Sequence, residues 1–246
     1  MKFFFHVGRY FLLLSKVFSK PEKFRFYLIQ LIRELDKLGI NSIGIVMIIT
    51  SFMGAVITMQ TAYNVENPLV PLFLVGLTAR DSMILEFSNA VVALILAGKV
   101  GSNIASEIGT MRVTEQVDAL EIMGVNSASY LILPKIVASL LIAPFLNIIG
   151  IFVGIFGGYL AAVFTDALTP YEYTYGIHAY FIPFYVTYSV IKMVFFAFII
   201  TTISAYHGYY TRGGALEVGK SSTRAVVYSS ILILVADVIL TQILLA

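Results

Sequence analysis

Residues 214–221, GALEVGKS, match the phosphate-binding pattern GxxxxGK[ST] letter for letter. In that pattern the loop amides cradle the phosphates of a nucleotide and the lysine, here Lys220, reaches them. The chemistry works only where a β-strand precedes the loop and a helix N-terminus follows it, so that the amides converge on phosphate. Here the segment Gly214 to Ser221 joins two apolar runs, and no stretch reads as the sheet that such a domain requires. The match is rejected, and the chain is expected to bind no cofactor of its own. Catalysis by other routes has little to build on. His6, His178 and His207 lie far apart and none has a second ligand at i+3 or i+4, so no metal site is expected. There is no GxSxG, and with no cysteine there is neither a thiolate nor a disulfide.

A second set of chemically able residues sits where charge is expensive. Glu86, Lys99, Lys192 and Asp237 interrupt long apolar runs, and Gln60 adds a polar group to another. A charge at the centre of a bilayer costs about 2.5 to 3.5 kcal/mol on insertion scales, so each should face protein or water. Gln60, Glu86 and Lys99 are candidates for a path through the membrane. Lys192 and Asp237 fall at matching depth, roughly 12 to 14 Å from one end of their spans at 1.5 Å per residue. Opposite charges at one depth on adjacent antiparallel helices suggest a pair, which would lock two helices or gate a passage between them.

A third concentration lies at 98–124, GKVGSNIASEIGTMRVTEQVDALEIMG. Ala97, Gly101, Ala105 and Gly109 recur every fourth residue and form a small-residue face that another helix can approach closely. A short helix is expected over about 110–124, with Thr110 as N-cap, Gly124 beyond its C-terminus, and Val113, Val117 and Leu120 on a narrow apolar stripe. Arg112, Glu115, Gln116, Asp118 and Glu121 spread over the remaining arc. Such a helix is either a solvated face or an acidic docking edge for a partner.

The elements that must position these residues follow from composition. At 59% hydrophobic and 12% charged over 246 residues, the chain is far more apolar than soluble domains. The expected fold is an all-α integral membrane protein. Residues 1–39 hold eight of the sixteen Lys and Arg residues among Phe, Tyr and Leu, without the uninterrupted core or cleavage site of a signal peptide. They read as amphipathic interfacial helices. Ser19 and Glu22 form a capping box with Pro21 in the first turn, and Lys23, Arg25, Arg33 and Lys37 point to lipid head groups. Residues 40–246 read as one domain with five spans, near 41–63, 82–106, 128–163, 183–207 and 225–245. Gly150, Gly154 and Gly158 make overlapping GxxxG units in the third span, read as helix packing. The loops near 64–72 and 165–182 lack Lys and Arg, whereas the N-terminal region and 208–224 are rich in them. The positive-inside rule therefore puts the N-terminus and the acidic helix in the cytoplasm and the C-terminus outside. A net charge of +2, with no basic face interleaved with aromatics, argues against nucleic-acid binding.

Residues 97–124 closely resemble the signature of the MlaE/YrbE family, permease subunits of ABC transporters that work with MCE-domain proteins to move lipids. The likeness extends to 54–60, GAVITMQ, to Lys192, and to 213–241, GGALEVGKSSTRAVVYSSILILVADVILT. Lys99 stands where the family usually shows Arg, and 84–89, ILEFSN, replaces the more usual LRELGP while keeping Glu86. The resemblance implies a homodimer in a bacterial inner membrane, a separate cytoplasmic ABC ATPase that uses the ATP, an extracytoplasmic MCE-domain lipid carrier, and a small accessory protein. It identifies Glu115, Gln116, Asp118 and Leu120 with the coupling helix that docks into the ATPase. On this reading the chain is not an enzyme. A membrane-embedded lipid-modifying enzyme resting on Glu86 and His178, and a secondary transporter, are the alternatives.

Overall fold

The computed structural model describes residues 2–19, 24–65, 70–165 and 168–245, and among these it is helical with no strand. Among the described residues five helical stretches are long and apolar enough to cross a membrane: Tyr27–Asn64, Phe73–Val113, Ser127–Phe164, Phe184–Tyr209 and Ala215–Leu245. The helices are α1 (Lys2–Phe18), α2 (Phe24–Leu35), α3 (Asn41–Asn64), α4 (Phe73–Ser82), α5 (Ser88–Leu96), α6 (Ser102–Val113), α7 (Gln116–Ile122), α8 (Ser127–Phe164), α9 (Pro170–His178), α10 (Phe184–Tyr209) and α11 (Ala215–Leu245). The expected capping box at Ser19 and Glu22 involves residues 20–23, outside the described ones. Two compact units are distinguished. Unit 1 comprises Met1–Asn41, Ala93–Ala143 and Phe195–Ile239, and unit 2 comprises Ser42–Val92, Pro144–Val194 and Leu240–Ala246.

The helical stretch that carries the first expected span, Tyr27–Asn64, begins well before residue 41. α2 runs into α3 through a π turn, Asp36–Ile40, without a break. Within unit 1, Tyr27 of α2 pairs with Ser129, Glu34 of α2 accepts from Lys135 Nζ at 2.5 Å, and Lys37 of the π turn pairs with Glu107. Lys37, expected to point to head groups, is thus paired with Glu107 while its side chain stays partly exposed. Leu28, Ile29 and Ile32 are exposed, as is Arg33.

The second span also passes through π turns, at Met83–Phe87 and Ala97–Gly101. Each inserts a residue into the helical repeat and rotates the succeeding turns about the axis, a local irregularity often found at functional sites. The 165–182 segment, expected as a loop, contains α9. Its start carries a capping box in which Thr169 and Glu172 each bond the other's backbone amide, with Pro170 in the first turn. In unit 2, α4 and α9 pack where a methyl group at Gly76 would strike the Tyr173 carbonyl, and one at Gly176 that of Phe73. Arg80, 1% exposed, donates to the carbonyls of Ile177 at 2.6 Å and Ala179 at 2.7 Å, satisfying acceptors that the end of α9 leaves open.

The glycines of α8 bring backbones together in unit 2. A methyl group at Gly54 of α3 would collide with the Gly154 carbonyl, and one at Gly157 with that of Ser51. At Gly150 it would lie 3.0 Å from Ser88 Oγ, and at Gly158 it would collide with Tyr173 and Thr58. In unit 1 a methyl group at Gly101 would lie 2.8 Å from Ser204 Oγ, and one at Gly109 3.3 Å from Thr211 Oγ1. Ala105 is fully buried on the same face.

Candidate functional site

Two constellations stand out, one in each unit. In unit 2, Lys192 of α10 is fully buried and its ammonium donates to Glu86 Oε2 at 2.8 Å. It also donates to Tyr188 OH at 2.9 Å and Thr241 Oγ1 at 3.1 Å. Tyr188 and Thr241 in turn donate to Glu86 Oε1 at 3.0 and 3.2 Å. A desolvated ammonium is tolerable only with such saturation, because it has three protons to place and no water to place them on. The carboxylate differs from its partner: the Glu86 side chain is 40% exposed. The arrangement is a fixed positive charge with a carboxylate whose outer edge is open to a passing polar group.

The π turn Met83–Phe87 carries Glu86, and Asn89 holds that turn. Its amide donates to the carbonyls of Ile84 at 3.1 Å and Leu85 at 3.0 Å, which a π turn leaves short of ordinary partners. The Asn89 carbonyl oxygen accepts from Asn147 Nδ2 at 2.6 Å and Ser189 Oγ at 2.8 Å, and Ser88 Oγ donates to Asn147 Oδ1 at 2.8 Å. All four side chains are fully buried, so this neutral network fixes the backbone that presents Glu86. Asn89 and Asn147 were not singled out from the sequence, although an asparagine inside a charge-free run is the signal that would have found them.

Of the other path candidates, Gln60 is exposed on α3. Lys99 lies on the π turn Ala97–Gly101, is exposed, and donates to the Asn41 carbonyl in unit 1. Asp237 belongs to unit 1 and Lys192 to unit 2. Residues 215–221 form the first turns of α11, with Lys220 donating to Glu217 at 2.6 Å one turn back. Among the described residues no group of three or more His, Asp or Glu side chains is placed to hold a metal ion.

The second constellation is α7 in unit 1. It is shorter than the expected 110–124 helix. Thr110 is not its N-cap but an interior residue of α6, accepting through its carbonyl from the Thr114 amide at 2.9 Å. The break comes at Glu115, a non-glycine residue with φ 60°, which reverses the chain between α6 and α7. At the other end Gly124 has φ 78°, and the Val125 amide reaches the Leu120 carbonyl at 3.1 Å, the six-residue closure that glycine permits after a helix.

Val117 anchors α7, fully buried. Two of the expected polar residues, though not buried, are engaged by neighbours in this chain. Asp118 accepts from Arg112 at 2.6 Å, and Glu121 accepts from Ser127 and Tyr209, both at 2.9 Å. The Ser127 hydroxyl first, then Tyr209, Arg112 and Lys16, hold the Glu121 carboxyl below the usual carboxylate range. Glu115 and Gln116 are exposed, as are Ile122 at 87% and Met123 at 68%. The outward edge of α7 is therefore acidic at one end and apolar at the other, and the apolar half was not anticipated from the sequence.

Comparison with known proteins adds one consistent finding. A family model described as Permease MlaE matches residues 31–243. The chain is 37% identical over 237 residues to a probable ABC transporter permease protein of Rickettsia prowazekii, covering 94% of this chain and 88% of the relative. It is 31% identical over 253 residues to the intermembrane phospholipid transport system permease protein MlaE of Haemophilus influenzae, covering 98% of this chain and 93% of that one. It is also 32% identical over 220 residues to the chloroplastic protein TRIGALACTOSYLDIACYLGLYCEROL 1 of Arabidopsis thaliana, covering 86% of this chain and 60% of that protein.

Proposed function

This chain belongs to the MlaE permease family, and from that premise we propose that it moves phospholipid, or a similar lipid, between the inner membrane and an extracytoplasmic MCE-domain carrier. It is a permease subunit of an ABC transporter and a multi-pass inner-membrane protein. In the proposed assembly two copies form a homodimer, a separate ABC ATPase hydrolyses the ATP, and a small accessory protein joins them. The N-terminus and α7 face the cytoplasm and the C-terminus faces the other side.

The observation that carries the reading is the outward edge of α7. A helix of seven residues with one buried anchor, Val117, has little reason to expose Ile122 and Met123 beside Glu115 and Gln116 unless a protein covers them. Interfaces of this kind join an apolar centre to a polar rim. Orientation is supported by the distribution of cations: of the sixteen Lys and Arg residues only Arg80 and Lys192 fall in unit 2, and the rest lie in unit 1 with the N-terminus and α7. The dimer is supported by α11, whose apolar residues are mostly uncovered within this chain, whereas those of α10 are mostly buried.

On this reading Glu86 and Lys192 act on a head group, the ammonium fixing the carboxylate and the exposed carboxylate edge meeting the lipid. Reconstitution with the ABC ATPase in proteoliposomes carrying fluorescent phospholipid tests it. ATP-dependent movement of unmodified lipid is expected. Movement driven by an ion gradient without the ATPase would instead favour a secondary transporter, and a chemically altered lipid an enzyme.

A further inference from the structure

A recess of about 180 Å³ opens in unit 1 among α1, the α6 to α7 connection and the end of α10. Four cations line it, Arg9 and Lys16 from α1, Arg112 from α6, and Arg212 just beyond α10, against a single lining carboxylate, Glu121. Arg112 is matched by Asp118 at 2.6 Å. Arg9, Lys16 and Arg212 form no ion pair among the described residues. Glu121 is already engaged by Ser127 and Tyr209. Arg9 is held in place, its guanidinium 3.6 Å from the centre of the Tyr210 ring, so the positive charge is organised rather than swinging freely.

The surroundings say which anion suits it. α1 is fixed by one face, where His6 bonds Tyr206 at 2.7 Å and Tyr10 bonds Thr202 at 2.8 Å. Asn126 ties down its C-terminal end by donating to the carbonyls of Lys16 and Ser19. Its opposite face exposes Phe4 at 80%, Phe11 at 63% and Leu12 at 67%. A soluble anion has no use for that apolar face, whereas a lipid satisfies both, its phosphate among the cations and its acyl chains against the phenylalanines.

We propose that this recess is a binding site for a phosphate anion presented by the head group of an anionic phospholipid, which pins α1 against the base of α7. The site shares no residue with the Glu86 and Lys192 cluster and does not depend on what the permease transports.

The test is thermal unfolding of the full-length chain in mild detergent, titrated with phosphatidylglycerol, phosphatidylethanolamine or inorganic phosphate. The Lys16→Gln/Arg212→Gln pair changes two exposed side chains and spares the fold, and Arg33→Gln removes an exposed cation elsewhere. Phosphatidylglycerol should stabilise the unaltered chain at concentrations where phosphatidylethanolamine does not. The double variant should need roughly tenfold to thirtyfold more of it, as expected for two lost cation contacts, while Arg33→Gln should stay within about twofold. Stabilisation by inorganic phosphate that the double variant loses would keep the anion site but assign it to soluble phosphate. Equal responses of all three proteins, or of both lipids, would overturn the site.

Discussion

The Lys192 ammonium lies 2.8 Å from the Glu86 carboxylate, with the lysine fully buried and the glutamate side chain 40% exposed. The pair is thus lopsided: one member is enclosed by protein and the other is partly uncovered. Breaking a buried pair by removing one partner typically costs about 3 to 5 kcal/mol, because the remaining charge is stranded. Here Lys192→Met leaves a carboxylate that still accepts from Tyr188 and Thr241, so its cost should fall toward the low end of that range. Combined with Glu86→Gln, the losses should be non-additive by about 1 kcal/mol or more in a double-mutant cycle of thermal or denaturant unfolding. Strict additivity would mean that the two groups do not interact energetically.

The pairing of Lys192 with Asp237, proposed from their matched depth in the sequence, is tested by a second cycle. If the two groups interact, Lys192→Met and Asp237→Leu should be non-additive by about 1 kcal/mol or more, while the double variant stays below the unaltered chain because Glu86 has lost its cation. Strictly additive losses would remove the pair.

Glycine contacts in unit 2 make a sharper forecast. A methyl group at Gly54 would run into the Gly154 carbonyl, a backbone atom that has no rotamer to move to. Gly54→Ala should therefore destabilise by about 1 to 3 kcal/mol, the usual range for overpacking. Gly44→Ala on the same span has nothing within 4 Å and should be neutral or slightly stabilising. Equal melting temperatures for the two variants would contradict the close approach of α3 and α8.

Glu121 gives the α7 region a pH dependence. Its carboxyl is held below its ordinary value of 4.5, first by the Ser127 hydroxyl. A depressed folded-state pKa means stability that is present above the unfolded value and lost as pH falls through the folded one. Between about pH 5 and pH 3 the unaltered chain should lose melting temperature more steeply than Glu121→Gln. Parallel curves would show that the carboxylate is not held by its neighbours.

Orientation can be read from a chain that contains no cysteine. Single cysteines at Asn67 and Ala167 should react with an impermeant thiol reagent added outside intact cells, and cysteines at Met123 and Gly214 should not. Outside labelling at Met123 would reverse the proposed topology and with it the docking role of α7.

Much of this architecture was legible in the sequence, because spans are written as long runs without charge and a bilayer fixes their minimum length. The small-residue faces at Gly101, Ala105 and Gly109 and at Gly150, Gly154 and Gly158 were equally plain, since a repeat of four needs no tertiary information. α9 was missed although Thr169, Pro170 and Glu172 spelled its start, because nine residues between two spans look like a loop when aromatic content is weighed above capping. The π turns were not legible: one inserted residue leaves hydrophobicity unchanged, and only the hydrogen bonds of Asn89 reveal what stabilises the turn carrying Glu86. The short helix was placed but its start was not, because Thr110 looks like a cap while the reversal falls at Glu115, whose left-handed backbone no propensity signals.

Docking of the ABC ATPase on α7 is the most direct test of the central claim. Ile122→Asp/Met123→Asp and Glu115→Ala/Gln116→Ala alter side chains that face outward, so membrane insertion and melting temperature should hold. Co-purification of the ATPase in detergent should weaken about a hundredfold or more for the first pair, as for loss of an apolar interface centre, and about tenfold for the second. ATP hydrolysis stimulated by lipid should fall in parallel. Full ATPase recovery and unchanged lipid-stimulated hydrolysis in both variants would contradict the account.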